Sequence, residues 1–352
     1  MNSSKFSKQD TPGRASQSLS EPFDNGDILL IHLGGLGDVC LSESLFFSFQ
    51  KHFGNRLVGL GNKRFLDLFG EYFVRAEGVE SRRWLYLFSE KLDGPVWSRI
   101  VFIGKDREGI LRKRWQAFSE KELIFIDMYP ENAFEHIGST TLPQQGFRGG
   151  AFNPCRGQGK TVRNTLAVPA SLITGSPARA PGVEIYQLAQ LKAYGIAPLN
   201  KKILPKRSAR VIIYPEKGFT KNKLHHDDFL RLYRSLGEKG LEAVVLESLG
   251  LAIDAERKVS FEDLIETKRF FSGGGVFVSN DSGMAHLAGV SGLFTVTIFT
   301  DFNPAAWHPR GRNVSLILGR DVSDLSGLET IILRAANDRG SLAAIKNCHR
   351  TL

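Results

Sequence analysis

The chain has 352 residues, 42% of them hydrophobic and 24% charged, which excludes an intrinsically disordered protein and suits about two folded domains. Lys plus Arg number 46 against 37 Asp plus Glu, a net charge of +9 that calls for anionic partners: nucleic acid, an anionic membrane leaflet or phosphate-bearing small molecules. No apolar run nears the ~20 residues of a membrane span. The three cysteines, Cys40, Cys155 and Cys348, are odd in number and far apart, which argues against a disulfide framework or a zinc ribbon and fits a reducing cytoplasm.

In chain order, residues 1–26 read as a polar, flexible tail without the apolar stretch of a signal peptide. Asp27–Leu33 (DILLIHL) reads as a buried strand. The turn Gly34-Gly35-Leu36-Gly37-Asp38 follows, and then a helix with Leu41, Leu45, Phe46, Phe49 and Phe53 at helical spacing. Strand, glycine-rich turn and helix open a parallel α/β unit. Arg56–Leu60, Arg99–Ile103 and Leu123–Ile126 read as further strands, with a charged helix over Arg107–Phe118. Residues 138–182 hold no sustained period. Val183–Tyr194 reads as a helix, and a Lys- and Pro-rich connector occupies 198–208.

A second α/β pattern follows: strands Arg210–Tyr214, Glu242–Leu246, Gly275–Ser279 and Phe294–Phe299, and helices Asp227–Lys239, Phe261–Phe271 and MAHLAGV after Asp281-Ser282-Gly283. The expected division is a first Rossmann-like domain over 27–197 and a second over 209–352. Ligands of open parallel sheets sit beyond the carboxyl ends of the strands, where both glycine-bearing turns fall.

Three segments carry candidate chemistry. Gly34, Gly35 and Gly37 let backbone approach a ligand, and the helix start after them favours anions. This is neither the GxGxxG fingerprint nor a P-loop. Asp38 there reads either as a helix N-cap or as a general base. Asp281, Ser282, Gly283 and His286 form a second strand-to-helix turn whose free N–H groups suit a diphosphate, or are merely capped. Lys221 and Lys223 lie in the loop Pro215–Lys223, as solvated charges or as phosphate ligands. His225-His226-Asp227-Asp228 has metal-ligand residue types, but adjacent residues at a helix start point apart, so no metal site is expected. No nucleic-acid-binding motif is present, and no nucleic-acid partner is expected.

Taken in this order, ILLIHLGGLGDVCLSESLFFSFQKHF, VIIYPEKGFTKNKLHHDDFLRLYRSLGEKGLEAVVL and FEDLIETKRFFSGGGVFVSNDSGMAHLAGVSGLFTVTIFTDFNPAAWHPRG resemble the bacterial heptosyltransferase family. The last, with DSG-x-x-HLAG followed by FTDFNPAAWHPRG, is the most specific. The resemblance implies an α/β GT-B fold, two Rossmann-like domains facing across a cleft. It implies an inverting, metal-independent glycosyltransferase without a cofactor. Its donor would be a nucleotide-diphosphate sugar, ADP-heptose or similar. Its acceptor would be a cell-surface glycan or a lipid-linked acceptor such as the lipopolysaccharide core. The expected location is cytoplasmic, with peripheral contact to the anionic inner membrane. Asp38 matches the family's catalytic base, and Asp281, Ser282, Gly283 and His286 match its donor loop.

The chain also departs from the family. Gly34 and Gly35 replace the usual Ser or Thr before LGD, Ser44 replaces a proline, and Asn222 stands where a phosphate-binding lysine belongs, between Lys221 and Lys223. The region after strand VVL lacks the usual glycine-rich turn, leaving Glu247 and Asp254 as the acidic residues available to a ribose. These departures motivate one alternative, a catalytically inactive homologue that binds nucleotide sugars.

Overall fold

The computed structural model describes residues 26–90, 92–130, 133, 182–215, 224–247, 254–300, 302–317 and 325–337. Its first half runs β1 (Ile28–His32), α1 (Leu36–Leu41), α2 (Glu43–Phe53), β2 (Leu57–Gly61), α3 (Lys63–Leu66), β3 (Arg75–Gly78), β4 (Arg99–Ile103), α4 (Ile110–Trp115), β5 (Ile124–Ile126) and α5 (Val183–Gln190). The strands pair in parallel in the order β3-β2-β1-β4-β5. The second half runs β6 (Val211–Tyr214), α6 (His226–Glu238), β7 (Ala243–Leu246), β8 (Lys258–Val259), α7 (Leu264–Phe271), β9 (Val276–Asn280), α8 (Gly283–Val290), β10 (Phe294–Phe299), α9 (Pro304–Trp307), β11 (Asn313–Ile317) and α10 (Leu325–Asn337). Its parallel order is β11-β10-β9-β6-β7-β8.

The apolar runs that read as strands have both faces covered, as parallel sheets require. In β1, Leu29 and Ile31 face an outer core with Trp84, Trp97 and Trp115. Ile28 and Leu30 face the opposite way. That inner core is continuous: it includes Phe46 and Phe49 of α2, Phe277 of β9 and Leu287 of α8. The two sheets are therefore joined through one apolar interior rather than by a chain connection alone. The outer face of the second sheet packs Val211, Ile213 and Val278 against Phe229 and Leu232 of α6 and Ile332 of α10.

The chain switches direction in the first sheet between β1 and β4, and in the second between β6 and β9. Those are the positions where ligands of doubly wound sheets bind. Gly34–Asp38 follows β1 and Asp281–Gly283 follows β9.

The helix expected to run through to Phe53 is broken at Ser42, with φ −89° and ψ 1°. Ser42 is buried, and its hydroxyl pairs with His32 Nε2 at 3.1 Å, drawing the corner against the strand end. The charged helix expected over Arg107–Phe118 is α4 plus a 3₁₀ turn at Gln116–Phe118. Among the labelled elements, β3, β8, β11, α10 and the one-turn helices α3 and α9 have no counterpart in the sequence patterns above.

Candidate active site

Gly35, not Asp38, is the N-cap of α1. Asp38 is the third residue of the helix, and its Oδ2 accepts from the Gly35 N–H at 2.8 Å. The expectation of an N-cap is corrected on that point: the carboxylate bends back onto the turn, like the acidic half of a capping box. Gly34 is required by space. A Cβ there would lie 2.7 Å from Asp38 Cβ and 2.9 Å from His32 Cε1.

Among the described residues two donors hold Asp38: the Gly35 N–H and the hydroxyl of Tyr129, which stands just beyond β5. Burial pushes the Asp38 carboxyl above its ordinary value, and the two hydrogen bonds pull it back. Burial and the neighbouring carboxylate raise the Tyr129 hydroxyl, so it stays a donor at neutral pH. His32 lies beneath. Its Nδ1 accepts from the Gly34 N–H at 3.2 Å, and burial lowers its pKa to about 4, so the ring is neutral.

The second turn is built differently. Ser282 caps α8, its hydroxyl accepting from the Ala285 N–H at 3.3 Å. Among the described residues the N–H groups of Gly283 and Met284 have no partner, as expected of a helix start open to an anion. The Asp281 carboxyl has no hydrogen bond among those residues, and burial alone raises its pKa to about 7. His286 Nε2 approaches Asp281 Oδ1 at 3.9 Å. Burial, with His308 nearby, lowers His286 to about 3, so this contact is not an ion pair.

The two turns meet. A Cβ on Gly37 would lie 2.9 Å from the His286 ring, and one on Gly283 would lie 3.0 Å from Leu36 Cβ and 3.3 Å from Gly37 N. Gly34, Gly35, Gly37, Asp38, Asp281, Ser282, Gly283 and His286 are thus gathered at one junction. Lys221 and Lys223 lie outside the described residues, as does most of the aperiodic 138–182 region. A cavity of about 580 Å³ opens beside the first turn, bounded by Leu33, Gly34, Gly35, Asn62, Phe65 and Phe88.

Glu247 follows the carboxyl end of β7 and pairs with Lys258 at 3.0 Å. Asp254 instead lines a cavity with Leu241, Glu242 and Ala243 at the amino end of β7, the wrong end of the sheet for a ligand of either turn. The His225–Asp228 group is a helix start. Asp228 Oδ2 accepts from the His225 N–H at 3.1 Å, and its other oxygen pairs with Arg231.

The sequence patterns did not single out Tyr129, His32, Trp307 or Arg310. Trp307 packs on the Tyr129 ring with centroids 4.8 Å apart. Arg310, 3% exposed, pairs with Glu43 of α2 and with Glu184 of α5, whose Oε1 lies 2.8 Å from its Nε. It also donates to Ser44 Oγ and to the Lys201 carbonyl, each at 2.8 Å. This buried charge cluster ties the α9–β11 connection of the second half to two helices of the first. Trp307 and Arg310 both lie in the WHPRG run, which was their one signal.

Comparison with known proteins comes from structure alone: no protein-family model and no curated protein sequence matches this chain. Heptosyltransferase WaaC of E. coli, solved with ADP, is 14% identical over 87% of this chain and 97% of its own, with a TM-score of 0.54. A glycosyl transferase family 9 protein from Veillonella parvula is 12% identical over 90% and 98%, with a TM-score of 0.53. ADP-heptose lipopolysaccharide heptosyltransferase II of E. coli is 15% identical over 88% and 98%, with a TM-score of 0.50. The chain has the fold these proteins share, the α/β GT-B fold of two Rossmann-like halves.

Proposed function

We propose that this chain is a heptosyltransferase-like glycosyltransferase, inverting and metal-independent. It takes a sugar from a nucleotide-diphosphate donor, ADP-heptose or a close analogue, and passes it to a glycan or lipid-linked acceptor such as the lipopolysaccharide core. Domains over 27–197 and 209–352 would serve acceptor and donor respectively. The observation that carries this is the meeting of the two turns. A carboxylate held by two donors stands on one side, and a helix start with open N–H groups on the other.

In this mechanism Asp38 is the general base. It takes the proton of an acceptor hydroxyl as that oxygen bonds to the anomeric carbon. The bond from that carbon to the diphosphate breaks on the opposite face, which inverts the configuration. The leaving diphosphate is met by the N–H groups of Gly283 and Met284 at the positive end of α8. The backbone of Gly34, Gly35 and Gly37 and the cavity beside them lie on the acceptor side. Lys221 or Lys223 would add countercharge, and Glu247, just after β7, would be the acidic group for a ribose. The basic surface would also favour peripheral contact with an anionic inner-membrane leaflet on the cytoplasmic side.

The test is a calorimetric titration with ADP-, GDP-, UDP- and dTDP-linked sugars, followed by transfer assays with the donor that binds. The expected result is saturable binding of the ADP-linked class and transfer that persists in excess EDTA. Binding of none of them would reject a donor site. Activity lost with chelator and restored by Mg²⁺ or Mn²⁺ would reject metal independence.

A further inference from the structure

Of the two donors that hold Asp38, one is local and the other is not. The Gly35 N–H belongs to the same turn and is present in any arrangement of the halves. The Tyr129 hydroxyl comes from beyond β5, and its ring rests on Trp307 of α9, with the ring planes tilted by 49°. Trp307 belongs to the second half, yet its indole Nε1 donates at 2.7 Å to the carbonyl of Ala133, back in the first. Phe302 flanks it from the other side, centroids 6.2 Å apart.

We propose that Tyr129 is a positioning residue that, docked on Trp307, aims the Asp38 carboxylate, so that the base is ready only when the second half is seated against the first. This rests on Asp38 being the base.

A carboxylate withdrawn from water loses solvation, and each hydrogen bond donated to its charged form restores part of it. Among the described residues Asp38 has two donors with Tyr129 in place and one without it. Removing the hydroxyl therefore favours the protonated carboxyl and moves its titration to higher pH. A base must be ionised to act, so the acid limb of turnover moves the same way. Among the described residues the other titratable groups around Asp38 are His32 beneath it, Cys40 on its own helix, His286 of α8 and Asp281 just before the α8 cap. His32 and His286 are held neutral by burial, and burial raises the Cys40 thiol. Asp281 is the one neighbour that titrates near neutral pH.

The experiment is a carboxyl ¹³C NMR titration of Asp38 in the full chain, with the Asp38 and Asp281 signals assigned through Asp38→Asn and Asp281→Asn. It compares wild type, Tyr129→Phe, Trp307→Phe and Trp307→Leu, each checked for cooperative thermal unfolding. Tyr129→Phe keeps the ring and removes only the hydroxyl. It is expected to move the Asp38 titration to higher pH and the acid limb of kcat with it. On that acid limb kcat should fall roughly tenfold while the donor KM stays unchanged. Trp307→Phe, which keeps an aromatic platform, should match wild type, and Trp307→Leu should match Tyr129→Phe. An Asp38 titration left in place by Tyr129→Phe, or by Trp307→Leu, overturns the proposal. If Asp38→Asn keeps transfer, the base assignment fails instead, and the NMR titration still decides whether Tyr129 holds Asp38.

Discussion

The two glycine-bearing turns share one architecture and differ in how they treat their aspartate. Each follows a central strand, starts a helix and carries a carboxylate within reach of a neutral, buried histidine. In the first turn Asp38 lies inside the helix start and collects a backbone and a phenolic donor. In the second, Asp281 lies outside the cap, collects none among the described residues, and is pushed up to about 7 by burial. Hydrogen-bond partners, rather than residue type, set the two carboxyls apart: two donors pull Asp38 back against burial, and none among the described residues does so for Asp281. A charged base belongs at the first turn. A group that sheds its charge near neutrality is tolerable beside an incoming diphosphate, which repels anions.

The largest expected effect comes from breaking the joint that brings the turns together. Arg310→Met would leave the buried Glu43 and the part-buried Glu184 without their cation, and breaking such a pair costs about 3–5 kcal/mol. Chemical denaturation should show that loss, with transfer falling because the halves no longer meet in register.

Asp281→Asn separates the turns by pH. Asp281 holds its proton up to about pH 7 in the fold, against an ordinary value of 3.8. The native state then binds more protons than the unfolded state between these values, so its contribution to stability falls as pH rises through that window. Above it the full penalty stands, about 4 kcal/mol as a ceiling. Denaturation should find the Asn variant more stable than wild type at about pH 8 and equal to it at about pH 4. An unchanged difference across that range would mean that Asp281 is an ordinary exposed carboxylate.

Gly34→Ala disturbs the first turn and spares the second. The added methyl meets Asp38 and His32 at under 3 Å, so the carboxylate must move. A misplacement of that kind costs on the order of a hundredfold in turnover. Donor affinity, measured by calorimetry, should stay within a few-fold. Ser282→Ala is the smallest change. It removes the cap of α8 and should cost about 1 kcal/mol of stability. Donor binding should weaken only modestly, because the open N–H groups are those of Gly283 and Met284.

Much of this was legible in the residues. The strand at Arg99–Ile103 and the strand at Phe294–Phe299 match the structure residue for residue, because a parallel strand covered on both faces draws on apolar and β-branched residues along nearly its whole length. β3, with Arg75 and Glu77 on an edge, offers no such run, and β8 has two residues. α10 does carry the helical spacing of Leu325, Leu328 and Ile332. Within the site, Asp38, Asp281 and His286 stand next to glycines at strand ends, where local spacing marks them. Tyr129 does not. It follows a short strand and acquires its meaning only when Asp38 and Trp307, both distant in sequence, arrive on either side. Arg310 is alike: a lone arginine in sequence becomes the centre of a buried cluster only when α2 and α5 converge on it.

The division of labour between the turns is tested most directly by Asp38→Asn, with transfer rate and donor affinity measured on the same preparation. The amide keeps the size of the carboxylate and cannot take a proton, and loss of a general base lowers turnover by about a hundred- to ten-thousandfold. The expected result is that loss in kcat with donor affinity within a few-fold of wild type. Near-normal turnover would contradict the assignment and leave Asp38 as a bond that closes the first turn, and nothing more.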